Sequence, residues 1–146
     1  MTRRLVLVLG DQLSLQNVAF EGFDPAHDTV LMVEAREESE HVPSTKMRSA
    51  LFLSAMRHFA ELLRERGWPL DYLRIGTHAF ASIADALADA LARQRPDAVV
   101  MTEAGEWRLE QAIAATCARA GVRLDPRDDL HFMASRAEFA DHARGK

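Results

Sequence analysis

Leu5-Val6-Leu7-Val8-Leu9, closed by Gly10-Asp11, decides how the rest of the chain is read. An unbroken apolar run cannot turn either side to water, so it reads as a central strand covered on both faces of a sheet. Thr29 to Glu34 and Ala98 to Thr102 repeat the pattern, and together these runs imply a parallel sheet. Leu70 to Ile75 alternates instead, with Leu70, Tyr72 and Arg74 opposed to Asp71, Leu73 and Ile75, and reads as a strand nearer an edge. Val122 to Leu124 is a candidate for a short fifth strand.

Helical stretches lie between the strands. The longest spans about Lys46 to Arg66, with Met47, Ala50, Leu51, Ser54, Ala55, Phe59, Leu62 and Leu63 at helical spacing, Ser44 or Thr45 as cap and Gly67 as stop. A second, Ser82 to about Gln94, lines up Ile83, Ala86, Leu87, Ala90 and Leu91, and Pro96 ends it. A third runs from about Trp107 to Ala120 before Gly121, and the tail holds a candidate short helix near Arg136 to Ala143. Ser14 to Asp28 carries little pattern and reads as a loop with a short helical turn. Strands alternating with helices call for right-handed crossovers, so the fold class is α/β: a three-layer sandwich around a parallel, Rossmann-like, five-stranded sheet. No repeat, low-complexity stretch or long linker divides the chain, and residues 1–146 are expected to form a single domain.

Composition narrows the chemistry. The apolar content of 48% over 146 residues is enough for a sizeable core. No apolar run is long enough to span a bilayer, and Met1-Thr2-Arg3-Arg4 leads straight into a strand rather than a signal peptide, so the expected location is cytoplasmic, with no membrane partner. Cys117 is the only cysteine, which excludes an internal disulfide, a Cys-ligated zinc and a four-cysteine iron–sulfur cluster on this chain. His27, His41, His78, His131 and His142 show no metal-ligand spacing. A formal charge of −4 with dispersed basic residues gives no footprint for nucleic acid, so no direct nucleic-acid contact is expected of this domain.

In open parallel sheets a ligand binds beyond the carboxyl ends of the strands, where the strand order reverses. That rule selects Gly10-Asp11-Gln12-Leu13, Glu34 to Glu38, and Glu103 to Arg108. Gly10 permits close backbone approach, Asp11, Glu34 and Glu38 offer acceptors, and Gln12 offers both donors and an acceptor. Such a set suits a neutral ligand rich in NH and OH groups. It suits a phosphate poorly, because the cluster is acidic and neither GxGxxG nor GxxxxGK[ST] is present. Each residue also has a plain structural reading: Asp11 as a turn cap, Glu34 as a solvated strand end, Trp107 as core, and Arg57 and His58 as surface or interface groups. Gly10-Asp11-Gln12-Leu13-Ser14 looks superficially like an esterase nucleophile block, but Gln12 stands where the serine must be, and a carboxamide is no nucleophile.

Three blocks carry a resemblance: Leu7-Val8-Leu9-Gly10-Asp11-Gln12-Leu13-Ser14, Ser54-Ala55-Met56-Arg57-His58-Phe59-Ala60, and Thr102-Glu103-Ala104-Gly105-Glu106-Trp107-Arg108. In this order they resemble the N-terminal domain of the deoxyribodipyrimidine photolyase-related proteins, the iron–sulfur bacterial cryptochromes and (6-4) photolyases. The resemblance implies an antenna-type domain that holds 6,7-dimethyl-8-ribityllumazine near Gly10, Asp11, Gln12, Leu13, Glu34, Glu38 and the start of the long helix, with Phe52 by the ring. It further implies a helical flavoprotein domain, in cis or in trans, that carries FAD, a four-iron cluster and the DNA. This chain holds no evident site for flavin or flipped base, so no catalytic residue is assigned and no repair is expected of it alone. Two other readings stay open: a stand-alone α/β metal-dependent enzyme or nucleotide-binding protein using Asp11 and Glu34, and a docking domain whose pocket is vestigial.

Overall fold

The computed structural model describes residues 3–10, 12–35, 46–104 and 107–127, without the side chains at 46–49 and 52. The strands are β1 (Arg4–Leu7), β2 (Asp28–Val33), β3 (Leu70–Leu73), β4 (Ala98–Thr102) and β5 (Arg123–Arg127). The helices are α1 (Lys46–Glu65), α2 (Ile83–Gln94) and α3 (Trp107–Ala120), and a 3-10 turn at Val18–Phe20 lies between β1 and β2. All strands pair in parallel in the order β3-β2-β1-β4-β5, which is the expected α/β sandwich. The candidate tail helix lies outside the described residues.

The apolar runs are where they must be. Leu5 to Val8, Val30 to Met32 and Val99 to Met101 are all at most 1% exposed, because each strand is sandwiched from both sides. Leu5, Leu7, Leu31, Val99 and Met101 pack under α2 and α3, against Leu87, Leu91, Ile113 and Cys117. Val6, Val8, Val30, Met32 and Val100 pack under α1 and the 3-10 turn, against Met56, Phe59, Ala60, Leu63 and Phe20. The chain steps from β1 to β2 to β3 with the 3-10 turn and α1 on one face. It then returns to β4 and β5 with α2 and α3 on the other, as right-handed crossovers require when the direction of travel reverses.

The helix expectations need one correction. In α2 the buried residues are Ile83, Ala86, Leu87, Ala90 and Leu91, the stripe read from the sequence, with the Ser82 hydroxyl accepting from Asp85 N. In α1 the buried stripe is Met56, Phe59, Ala60 and Leu63, whereas Leu51 is 67% and Leu62 38% exposed. The apolar residues of α1 span more arc than a single sheet face covers, so spacing alone leaves its rotation about the axis ambiguous. Gly67, at φ 73°, turns the chain out of α1, and Trp68 N bonds back to Leu63 O at 3.1 Å. Trp68 then stacks on Phe23, with centroids 4.4 Å apart.

At the opposite end from the candidate site, the Asp28 side chain is fully buried and accepts from Arg3 Nε and Nη2, Arg4 Nη2 and Asp24 N at 2.8 to 3.2 Å. Burial works against its ionised form, but these donors outweigh it and hold the carboxyl at about 2. A carboxyl depressed from its free value near ~3.9 stabilises the fold above that pH and loses the contribution as pH falls through the folded value. We predict that Asp28→Asn costs about 2 kcal/mol at neutral pH, and that its urea midpoint converges with that of the parent between pH ~4 and ~2. A gap that stays constant over that range would show that Asp28 contributes little through its charge.

Candidate functional site

The strand order reverses between β1 and β4, so the crevice of interest lies above their carboxyl ends. The chain leaves β1 through a tight descent in which Gln12 N bonds to Leu9 O and Ser14 N to Gln12 O, both at 3.0 Å. This turn aims the Gln12 side chain across the crevice, where Nε2 donates to Glu103 O at 3.1 Å and Thr102 O at 3.4 Å. Its Oε1 is buried and has no partner among the described residues. Gly10 and Leu13 are half-buried beside it, with Leu13 packed toward the α1 side of the sheet.

Asn17 is the pin beneath this loop, and the sequence reading missed it. It is 7% exposed; its Nδ2 donates to Gln12 O at 3.0 Å and its Oδ1 accepts from Ala19 N at 2.9 Å and from the Thr102 hydroxyl. The loop after β1 is thus tied to the last residue of β4. The end of β5 joins the same knot: Arg127 Nη1 donates to Val18 O and Glu21 O, both at 2.9 Å, and Glu103 N donates to Arg127 O at 2.8 Å. The available signal was local, since Asn before a short helical turn is a favoured cap. The Thr102 partner carries none.

Glu34 closes the second half of the edge, and it is not a solvated strand end: it is 1% exposed. Its Oε1 accepts from Ile75 N at 3.0 Å and Arg57 Nη2 at 3.3 Å, and its Oε2 accepts from Arg57 Nε at 3.3 Å and from the Tyr72 hydroxyl. Burial pushes this carboxyl up, but the bonds from Arg57, Tyr72 and Ile75 outweigh it and hold it below the usual carboxylate range. Burial, then the hydrogen bond to Glu34 and that group's charge, pushes the Tyr72 phenol well above its ordinary value. The Glu34 carbonyl accepts from His78 Nε2 at 2.8 Å, while His78 Nδ1 accepts from Phe80 N at 3.1 Å. A carboxylate has about four lone-pair positions, and the donors around Glu34 occupy that capacity. Glu34 therefore braces β2, β3 and α1, and a metal ion or ligand hydroxyl would have to displace one of those donors. Among the described residues no group of three or more His, Cys, Asp or Glu is placed to hold a metal ion.

Of the predicted site residues, Gly10, Gln12 and Leu13 come together at the crevice, and Glu34 stands along the same edge within its own network. Asp11 and Glu38 lie outside the described residues, as does the side chain of Phe52 in α1. Trp107, which opens α3 just after β4, is 66% exposed and is not core.

The model of the family described as deoxyribodipyrimidine photo-lyase-related protein matches residues 6–146. The chain belongs to that family. This photolyase-related chain is 37% identical over 144 residues to the "(6-4) photolyase" of Agrobacterium fabrum, covering 98% of itself and 28% of that relative. It therefore spans little more than a quarter of that protein's length. The crystal structure of the conserved protein TT1542 from Thermus thermophilus is similar at 16% identity and a TM-score of 0.46, over 92% of this chain and 69% of that one. No helix among the described residues of the photolyase-related chain is long and apolar enough to cross a membrane.

Proposed function

We propose that this photolyase-related chain is a light-harvesting domain that binds 6,7-dimethyl-8-ribityllumazine at the carboxyl edge of its sheet and passes excitation to a flavin on a helical partner domain. The observation that carries the reading is the buried Oε1 of Gln12, which has no partner among the described residues, at the point where the strand order reverses. A buried amide oxygen without a donor costs about 1–3 kcal/mol, and a ligand N–H or O–H would recover it. The ring imide and ribityl hydroxyls of a lumazine supply such donors, and Gly10 leaves room for the ring to approach the backbone. Asp11, Glu38 and Phe52 complete the proposed site, with Glu34 as the brace that keeps β2 and α1 in place. Family membership supports the link to light-dependent DNA repair; in this proposal FAD and a four-iron cluster belong to the partner domain. The exposed Leu51 and Trp107 are apolar surface for such a partner to cover.

Titrating the purified chain with the lumazine, and following its absorption and fluorescence, tests this. Saturable binding is expected, weakened at least about tenfold by Gln12→Leu and by Glu38→Ala, and altered by Phe52→Trp. Binding indifferent to Gln12→Leu would remove the crevice as the site. No binding at all would leave the docking role.

A further inference from the structure

A second concavity lies away from the crevice, between α1 and the edge strand β3. Its volume is about 460 Å³, within the range that takes a small organic ligand. Ser54, Arg57, His58, Glu61, Tyr72 and Arg74 give it its polar character, and none of Gly10, Gln12 or Leu13 lines it. Its upper end is organised by Glu34. Arg57 commits Nε and Nη2 to that buried carboxylate, and Ile75, the neighbour of Arg74, donates its backbone N–H to the same group. The Arg57 guanidinium is thereby fixed in place with 43% of its side chain still open to solvent. Arg74 stands exposed beside it with no ion pair among the described residues.

We propose that this groove binds a small phosphomonoester, with the phosphate held by Arg57 and Arg74 and the body lying along Tyr72, Leu53 and the Ser54 and His58 face of α1. A guanidinium already anchored by a carboxylate loses little freedom when a ligand arrives, and its planar fork matches phosphate oxygens. The charge balance sets the class of ligand. Among the described residues the guanidinium groups of Arg57, Arg64 and Arg74 face the carboxylates of Glu34 and Glu61, which leaves one net positive charge. That balance serves a single phosphate. It is too small for a polyanionic strand, whose binding draws on many phosphate contacts at once. The residues proposed to touch the phosphomonoester, Arg57, Arg74, Tyr72, Leu53, Ser54 and His58, are not among those proposed to touch the lumazine, and Glu34 braces the protein beside both.

The test is a titration of the full chain with adenosine monophosphate, followed by backbone amide chemical shifts, with inorganic phosphate and unphosphorylated adenosine as parallel probes. Adenosine monophosphate should shift Ser54, His58 and Tyr72 saturably, inorganic phosphate should bind the same place more weakly, and adenosine should not saturate. Arg74→Gln should weaken the nucleotide at least about tenfold, with the melting temperature and the lumazine titration unchanged. An absence of saturation up to about 5 mM nucleotide, equal binding of adenosine, or an unaffected Arg74→Gln would each overturn the proposal. Tighter, steeply salt-dependent binding of a short single-stranded oligonucleotide would overturn it in favour of a nucleic-acid surface.

Discussion

Glu34→Ala is expected to lower the unfolding free energy by about 3 kcal/mol at neutral pH, among the largest effects available outside the apolar core. The substitution leaves the half-buried Tyr72 hydroxyl and Ile75 N–H without their acceptor, and it opens a void at the buried Glu34 position, where β2, β3 and α1 meet. Arg57 limits the loss, because its side chain is 43% exposed and can turn to solvent rather than remain as a buried charge. The cost should therefore fall at the lower end for broken buried pairs. The Glu34 carboxyl is held below its free value, so its charge-dependent contribution is full above the free carboxyl pKa, near ~4.3, and is lost as pH falls through the folded value. Urea unfolding of Glu34→Ala and Glu34→Gln at neutral and acid pH separates the parts. The glutamine variant should approach the parent as pH falls, while the alanine variant keeps the packing loss. A neutral-pH loss below about 1 kcal/mol in Glu34→Ala would show that the network is not a brace.

Asn17→Ala should cost about 2–3 kcal/mol and loosen the roof of the crevice. It removes the donor to Gln12 O and the acceptor shared by Ala19 N and the Thr102 hydroxyl, so the loop after β1 loses its tie to β4. Thr102→Val deletes only the hydroxyl bond and should cost less, about 1 kcal/mol. Hydrogen exchange reports the difference directly: the Gln12 and Ala19 amides should exchange faster in Asn17→Ala, while the central strand residues Val6 and Val100 change only as global stability does. Unchanged exchange at Gln12 and Ala19 would mean that the backbone bonds of the loop suffice without Asn17. Because the Gln12 side chain hangs from this loop, the same variant should weaken lumazine binding without touching the ligand.

What was legible in the sequence follows from what is local. Leu5 to Leu9, Thr29 to Glu34 and Ala98 to Thr102 announce buried strands because burial on both faces leaves an unbroken apolar run, and all are strands or their immediate ends. The alternation from Leu70 to Ile75 marks a strand nearer an edge, and β3, which ends at Leu73, is outermost. The length of β5 was not legible beyond Leu124, since Asp125, Pro126 and Arg127 are poor strand formers that only an outer position tolerates. The carboxyl edge could be chosen from the strand–helix alternation alone. Its internal wiring could not, because Asn17 meets Thr102 across 85 positions and Glu34 meets Tyr72 across 38. Periodicity carries no information about such pairs, and so Glu34 read as an open acceptor when the fold had already occupied it.

The composition of β5 also bears on how the molecule behaves in a crowd of its own kind. Arg127 O accepts from Glu103 N, so the peptide groups of Arg127 face β4 and those of Pro126 face outward. Proline has no N–H to offer there, and the exposed Arg123 places charge at the same rim. Among the described residues no strand pairs with β5 on that side, and a passing strand from another copy would find there an interrupted ladder and the Arg123 charge, which blunts edge-to-edge growth. Pro126→Val would restore the missing donor, and with it a route to self-association as the protein is concentrated.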